Sequence, residues 1–179
     1  TVTDTTRVTS GGVLNVTKAE DKSTGPLNAT ITYTLTYTNS GNSATRLVLT
    51  DVLDGTQLAY VTGSARWNQG SGALTEASGE AAGNTGIDYQ TSTTGSQTTV
   101  SIILPSVPAQ STGQISFQAR AVSTTQDQLA NTASYQQIDG STTVKTANTN
   151  TVLFNLTHSY AVVTNNSASS ASNNGNPSS

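Results

Sequence analysis

Three side chains in this sequence have the types and the phase to react with one another: Lys18, Asp51 and Asn131. Each falls on the same face of its segment as the apolar neighbours. Lys18 is in step with Leu14 and Val16, Asp51 with Leu47 and Leu49, and Asn131 with Leu129 and Ala133. If the phases were independent, all three would point inward roughly one time in eight. A charge buried alone is too costly to persist unless it is paired or neutralised. A lysine buried beside a carboxylate can instead lose its proton. A neutral amine is a nucleophile, and a carboxamide carbon is an electrophile. The chemistry open to this trio is an intramolecular isopeptide bond from Lys18 Nζ to Asn131 Cγ, with Asp51 shuttling the proton. Such a bond removes loop entropy from the unfolded chain much as a disulfide does, typically about 2–4 kcal/mol. Loss of ammonia lowers the mass by about 17 Da. In the competing reading Lys18 snorkels at a strand end, Asp51 caps a turn and Asn131 sits at a bend.

The elements that must position these residues are strands. No sustained i, i+3, i+4 apolar pattern is present, and β-branched Thr occurs throughout. Alternation is clearest in Ile31, Tyr33, Leu35 and Tyr37, which interleave with Thr32, Thr34, Thr36 and Thr38. Leu14–Lys18 precedes it. Leu47–Leu53 follows the Asn39–Ser43 turn, with Val48 and Val52 on its other face. Asp54-Gly55 is a turn, and Leu58, Tyr60 and Val61 predict a short strand. Residues 64–96 are rich in Gly, Ser, Ala and Asn, a long stretch for a structureless loop. Trp67, Leu74 and Ile87-Asp88-Tyr89 predict one or two short strands within it. Val100, Ile102 and Leu104 form another strand, expected to stop at Pro105 and Pro108. Ile115–Ala121 and Leu129–Tyr135 follow, with a hairpin at Asp139-Gly140.

The last alternating stretch, Val152, Phe154, Leu156, His158, Tyr160 and Val162, is longer than the usual strand of about 5–6 residues. A terminal strand of that length can leave its own sheet and complete a neighbour's. Residues 1–12 are a second, poorer candidate donor, with only Val2 and Val8 to offer. Residues 13–156 then form an all-β sandwich with extended terminal strands. Residues 157–179 form a C-terminal extension or linker, strand to about residue 163 and a disordered polar tail beyond.

Composition narrows the function. Charged residues make up only 9% of the chain, against roughly 25% in an ordinary domain. Thr, Ser, Asn and Gln must solvate the surface, a habit of secreted and surface-layer proteins. The expected location is extracellular, at the cell surface. A net charge of -3 offers nothing to a phosphate backbone, so no nucleic-acid partner is expected. Cysteine is absent, so any covalent staple must be something other than a disulfide. Methionine is absent too, as in a processed chain or a segment of a longer one. No apolar run is long enough to predict a membrane-inserted segment.

The residues resemble the DUF11 repeat family. The resemblance is carried by Leu14-Asn-Val-Thr-Lys18, Ile31-Thr-Tyr-Thr-Leu-Thr-Tyr-Thr-Asn-Ser-Gly41, Leu47-Val-Leu-Thr-Asp-Val-Leu53 and Asn131-Thr-Ala133. It runs from about Val13 to Leu156. Leu-Pro usually follows the Asp in that family, whereas Leu53 is followed by Asp54 here. The resemblance implies an immunoglobulin-like module of a large microbial surface protein, often in tandem, with a structural or adhesive role. The trio Lys18, Asp51 and Asn131 likewise resembles the Lys/Asn/acid triads of Gram-positive pilin and adhesin domains.

Other candidates carry less. His158, the one histidine, has no partners for a triad or a zinc site, so neither enzymatic turnover nor a cofactor is expected. Glu76, Glu80 and Asp88 lack the spacing of a calcium loop and read as solvated charges. Four sequons make Asn15, Asn28, Asn155 and Asn165 candidate glycan acceptors. Trp67 and Tyr89 in the 64–96 insertion are candidate ligand contacts, because exposed aromatics on a loop can bind sugars or a host protein. Two functions result. One is a structural subunit of a surface fibre, filament or layer, its partners being neighbouring copies or tandem modules. The other is an adhesin that binds glycan or host protein through the insertion.

Overall fold

Alternating burial organises the chain from its first strand to its last. The computed structural model describes residues 11–158 apart from Ser71. The sequence-level expectations for residues 1–10 and 159–179, including Asn165, Tyr160 and Val162, lie outside the described residues.

The described residues form three sheets. The first contains β1 (Leu14–Glu20), β3 (Thr30–Asn39), β9 (Ser111–Ala121), β5 (Leu58–Tyr60) and the two-residue β6 (Arg66–Trp67), the last two both pairing with β9. The second runs β12 (Thr142–Asn148), β11 (Ala133–Asp139), β4 (Thr45–Asp54), β8 (Gln97–Val107) and β7 (Asp88–Thr94). A small third sheet joins β10 (Gln128–Asn131), β13 (Val152–Leu156) and the short β2 (Thr24–Gly25). All pairings are antiparallel except β13 with β2.

The core lies between the inward faces of the two five-stranded sheets. Ile31, Tyr33, Leu35, Ile115 and Phe117 come from the first, and Leu47, Leu49, Leu53, Val100 and Ile102 from the second. Phe154 and Leu156 of the third sheet join the same cluster. One apolar face per strand is enough for the sandwich, so a chain only 33% hydrophobic can fill its core.

The structure departs from the sequence reading in four places. β8 runs through Pro105 to Val107 instead of stopping at the proline. Its partner β4 slips register between Thr45 and Leu47, opposite that stretch. A bulge tolerates a residue that cannot donate to the ladder. Residues 88–94 form a seven-residue edge strand, longer than the short strands expected in the insertion. The segment 129–135 is not one strand. It breaks at Thr132, with β10 in the small sheet and β11 beside β4 in the large one. At the C-terminal end β13 stops at Leu156, and Thr157 and His158 follow without strand structure.

Candidate functional site

Lys18 sits mid-β1, two residues beyond the buried Val16, so the pleat carries it inward. Its side chain has no exposed surface, and snorkelling is therefore ruled out as its structural role. Lys18 Nζ donates to Asp51 Oδ2, which reaches in from the opposite sheet. Asp51 lies in the interior of β4, paired with Ala133 and Val100, rather than capping a turn. Asn131 ends β10 at the break where the chain changes sheets, and it is only 4% exposed. The three phases read from the sequence all point into the sandwich.

Aromatic rings wall the site. Lys18 Nζ lies 4.8 Å from the centroid of Tyr33 and 5.8 Å from that of Phe117. Those two rings stand 5.8 Å apart. Water is excluded, so the charged forms of both ionisable groups are penalised. Burial lowers the affinity of Lys18 for its proton, and the Asp51 carboxylate only partly restores it. Burial pushes Asp51 up, opposed by Lys18 and by the Asn131 amide. Both shifts run toward the neutral pair, an amine facing a carboxylic acid. That form of lysine is the nucleophilic one.

Three polar atoms in this pocket are buried without a hydrogen-bond partner: Asp51 Oδ1, Asn131 Nδ2 and the Tyr33 hydroxyl. The Asn131 amide approaches both Asp51 and Tyr33 closely enough to offset part of their upward shifts. Amine, acid and carboxamide thus converge in one dry chamber. Their chemical capacity is acyl transfer from Asn131 to Lys18.

One positioning residue escaped the sequence analysis. Asn150 Oδ1 accepts from the Lys18 N–H at 2.9 Å, and its Nδ2 donates to the Lys18 carbonyl at 2.8 Å. The side chain caps the free edge of β1 as a neighbouring strand would. Asn150 lies between β12 and β13, where no alternation marks it. Gln137 does similar work higher up, accepting from Leu14 N–H at 3.0 Å and donating to Gly12 O at 2.7 Å.

The insertion is mostly packed down. Tyr89 is fully buried, so it is not the exposed ligand contact expected from the sequence. Its hydroxyl is 2.9 Å from that of Tyr60, which donates to Glu76 Oε1 at 2.8 Å. Placing Ile87 and Tyr89 in the core buries more apolar area than a presented loop would. Trp67 is half-buried and donates to the Tyr37 hydroxyl at 2.9 Å. With Tyr37, Leu104 and Pro108 it lines a cavity of about 240 Å³. Asn15, Asn28 and Asn155 are exposed. His158 Nε2 lies 2.6 Å from Asp127 Oδ1. Among the described residues no group of acids and histidines is placed to hold a metal ion.

No family model and no curated protein matches the chain. Solved structures do. A substituted form of BcpA, the major pilin subunit of Bacillus cereus, matches with a TM-score of 0.57 and 11% identity, over 81% of this chain and 41% of that one. The full-length major pilin SpaD of Corynebacterium diphtheriae matches with a TM-score of 0.57 and 16% identity, over 78% of this chain and 35% of that one. The fimbrial protein FimP of Actinomyces oris gives 0.51 and 18%, over 78% and 37%. The chain spans less than half the length of each. At these identities the likeness is one of fold, and the chain is an immunoglobulin-like β-sandwich of the kind those pilin and fimbrial proteins contain.

Proposed function

We propose that this chain is a structural module of an extracellular fibre or filament at the cell surface, related to the DUF11 repeats and crosslinked internally between Lys18 and Asn131. The observation that carries this reading is the buried Lys18–Asp51 pair beside an unpartnered Asn131 amide. The neutral Lys18 amine attacks Asn131 Cγ, and the Cγ–Nδ2 bond breaks. The proton lost by Lys18 passes through Asp51 to Nδ2, which leaves as ammonia. The product ties β1 of one large sheet to the end of β10, at the break just before β11 enters the other large sheet. A fibre module under tension gains most from such a tie, because it resists both force and reduction.

Intact mass tests the crosslink. The expected result is a mass about 17 Da below that of the encoded chain, restored to the encoded value in Lys18→Ala and Asn131→Ala. An uncrosslinked mass for the unsubstituted chain would overturn the reading. The same spectrum shows any glycan on Asn15, Asn28 or Asn155 as a large addition.

Modules join through strand exchange in this reading. β12, at one edge of the large sheet, carries the half-exposed Val144 and offers a place for an added strand. Deleting the residues after Leu156 is expected to abolish polymers seen by electron microscopy. Polymers that persist would remove the C-terminal segment as donor. The adhesin alternative is favoured by the Trp67 cavity alone. Soluble monomers that bind a glycan array through Trp67 would support it over the fibre.

A further inference from the structure

The crosslink chemistry has given the Tyr33 hydroxyl no task. Its ring is fully buried in the middle of the first sheet, paired with Glu20 on one side and Phe117 on the other. The ring lies beneath the Lys18 amine. Its hydroxyl has no hydrogen-bond partner, and neither has the Asn131 Nδ2 that approaches it. A hydroxyl left unsatisfied in a core is destabilising, whereas phenylalanine would fill the same space at no such cost.

We propose that the Tyr33 hydroxyl holds the departing nitrogen of Asn131 during isopeptide formation. The inference rests on the crosslink reading above and assigns a further residue to the same site. In the starting amide the Nδ2 lone pair is delocalised into the carbonyl and accepts no hydrogen bond. When Lys18 Nζ adds to Cγ, that nitrogen becomes pyramidal and basic. The Tyr33 O–H can then donate to its lone pair and hold the nitrogen in place until Asp51 delivers the proton taken from Lys18 to that lone pair, after which the leaving nitrogen donates to the Tyr33 oxygen. The Lys18 Nζ–Asn131 Cγ bond forms, the Cγ–Nδ2 bond breaks, and ammonia carries off the transferred proton. Tyr33 keeps its own proton throughout. The donor therefore favours the intermediate over the resting amide, which is the condition for acceleration. Burial keeps the phenol protonated, as that role requires.

The test follows the mass of the full chain with time after cell-free synthesis. Tyr33→Phe removes the hydroxyl and keeps the ring. The expected result is crosslinking slowed on the order of 100-fold, the usual scale for deleting one such donor. Folding is checked by comparing the unfolding midpoints of Lys18→Met and Lys18→Met/Tyr33→Phe, neither of which can crosslink. Incorporating fluorotyrosine, a stronger donor of nearly the same shape, is expected to speed the mass loss. Equal rates for the unsubstituted chain and a folded Tyr33→Phe variant would overturn the role of Tyr33 while leaving the crosslink intact. An unchanged or slower rate with fluorotyrosine would do the same. A chain that never loses ammonia would overturn both.

Discussion

Asn150 grips Lys18 by its backbone, accepting from the N–H and donating to the carbonyl with a single carboxamide. Those two bonds close the outer edge of β1 at the residue whose side chain enters the core. They also link β1 to the connection between β12 and β13. Asn150→Ala leaves both backbone groups without this partner. The expected cost is about 1–3 kcal/mol, measured as a lower urea midpoint with an unchanged slope. A midpoint equal to that of the unsubstituted chain would show that water replaces the side chain at no cost.

The crosslink closes a loop on the order of 100 residues, for which the chain-entropy account gives roughly 4.7 kcal/mol. A domain of this size shifts its melting temperature by about 2–4 °C per kcal/mol. Asn131→Ala is therefore expected to melt about 10–20 °C lower. Lys18→Ala should fall at least as far, because it also strips Asp51 of its partner. Melting temperatures within about 2 °C of the unsubstituted chain would mean that no covalent tie had been lost.

Alkaline pH attacks the tyrosines. Burial raises Tyr33, Tyr37, Tyr60 and Tyr89 above the ordinary value near 10, and neighbouring Glu76 adds to the rise at Tyr60 and Tyr89. The folded chain keeps these protons where the unfolded chain gives them up. Their contribution to stability is complete below pH 10 and is lost progressively above it. Absorbance of the phenolate should show these four titrating only together with cooperative unfolding. A smooth ionisation of all six tyrosines near pH 10 would contradict the buried placement.

Glu76 staples the insertion to the sandwich. Its Oε1 accepts from the Tyr60 hydroxyl and, at 2.7 Å, from the Gly63 N–H. Glu76→Ala is expected to raise amide exchange across residues 64–88 about tenfold, equivalent to roughly 1.4 kcal/mol of local opening. The emission of Trp67, the chain's one tryptophan, should shift toward the red. Exchange confined to its previous level would place the staple elsewhere, for instance on the buried Asn84.

How far the sequence foretold this arrangement depends on how local each signal is. The inward phase of Lys18, Asp51 and Asn131 was legible because period-two burial needs only neighbours such as Val16, Leu49 and Leu129. The break at Thr132 was not, because Asn131 and Ala133 both face inward on either side of it and alternation runs through unbroken. Pro105 misled for a related reason: the bulge that accommodates it is set by the register of β4, a distant strand. Tyr89 falls in a segment that the sequence marks as a short strand, but its burial depends on pairing with β8 and packing into the core, which no local pattern reveals. Asn150 has no pattern at all, since its partners are backbone atoms of a residue far away in sequence.

The pH dependence of crosslinking joins the geometry of the site to its chemistry. Reaction needs one proton shared by Lys18 and Asp51, with the amine free. Burial lowers Lys18 and raises Asp51, so both shifts run toward that state. At low pH both groups hold protons, and the ammonium cannot attack. As pH rises through the lowered value of Lys18, the amine is freed and the rate climbs. At higher pH Asp51 becomes a carboxylate, whose charge opposes the negative charge that builds on the Asn131 carbonyl oxygen as Lys18 adds, and the rate falls. The time course of ammonia loss should therefore trace a bell. In Asp51→Asn the bell should vanish along with most of the rate. A rate that rises with pH to a plateau, with no descending limb, would show that the reaction does not need Asp51 in its protonated form.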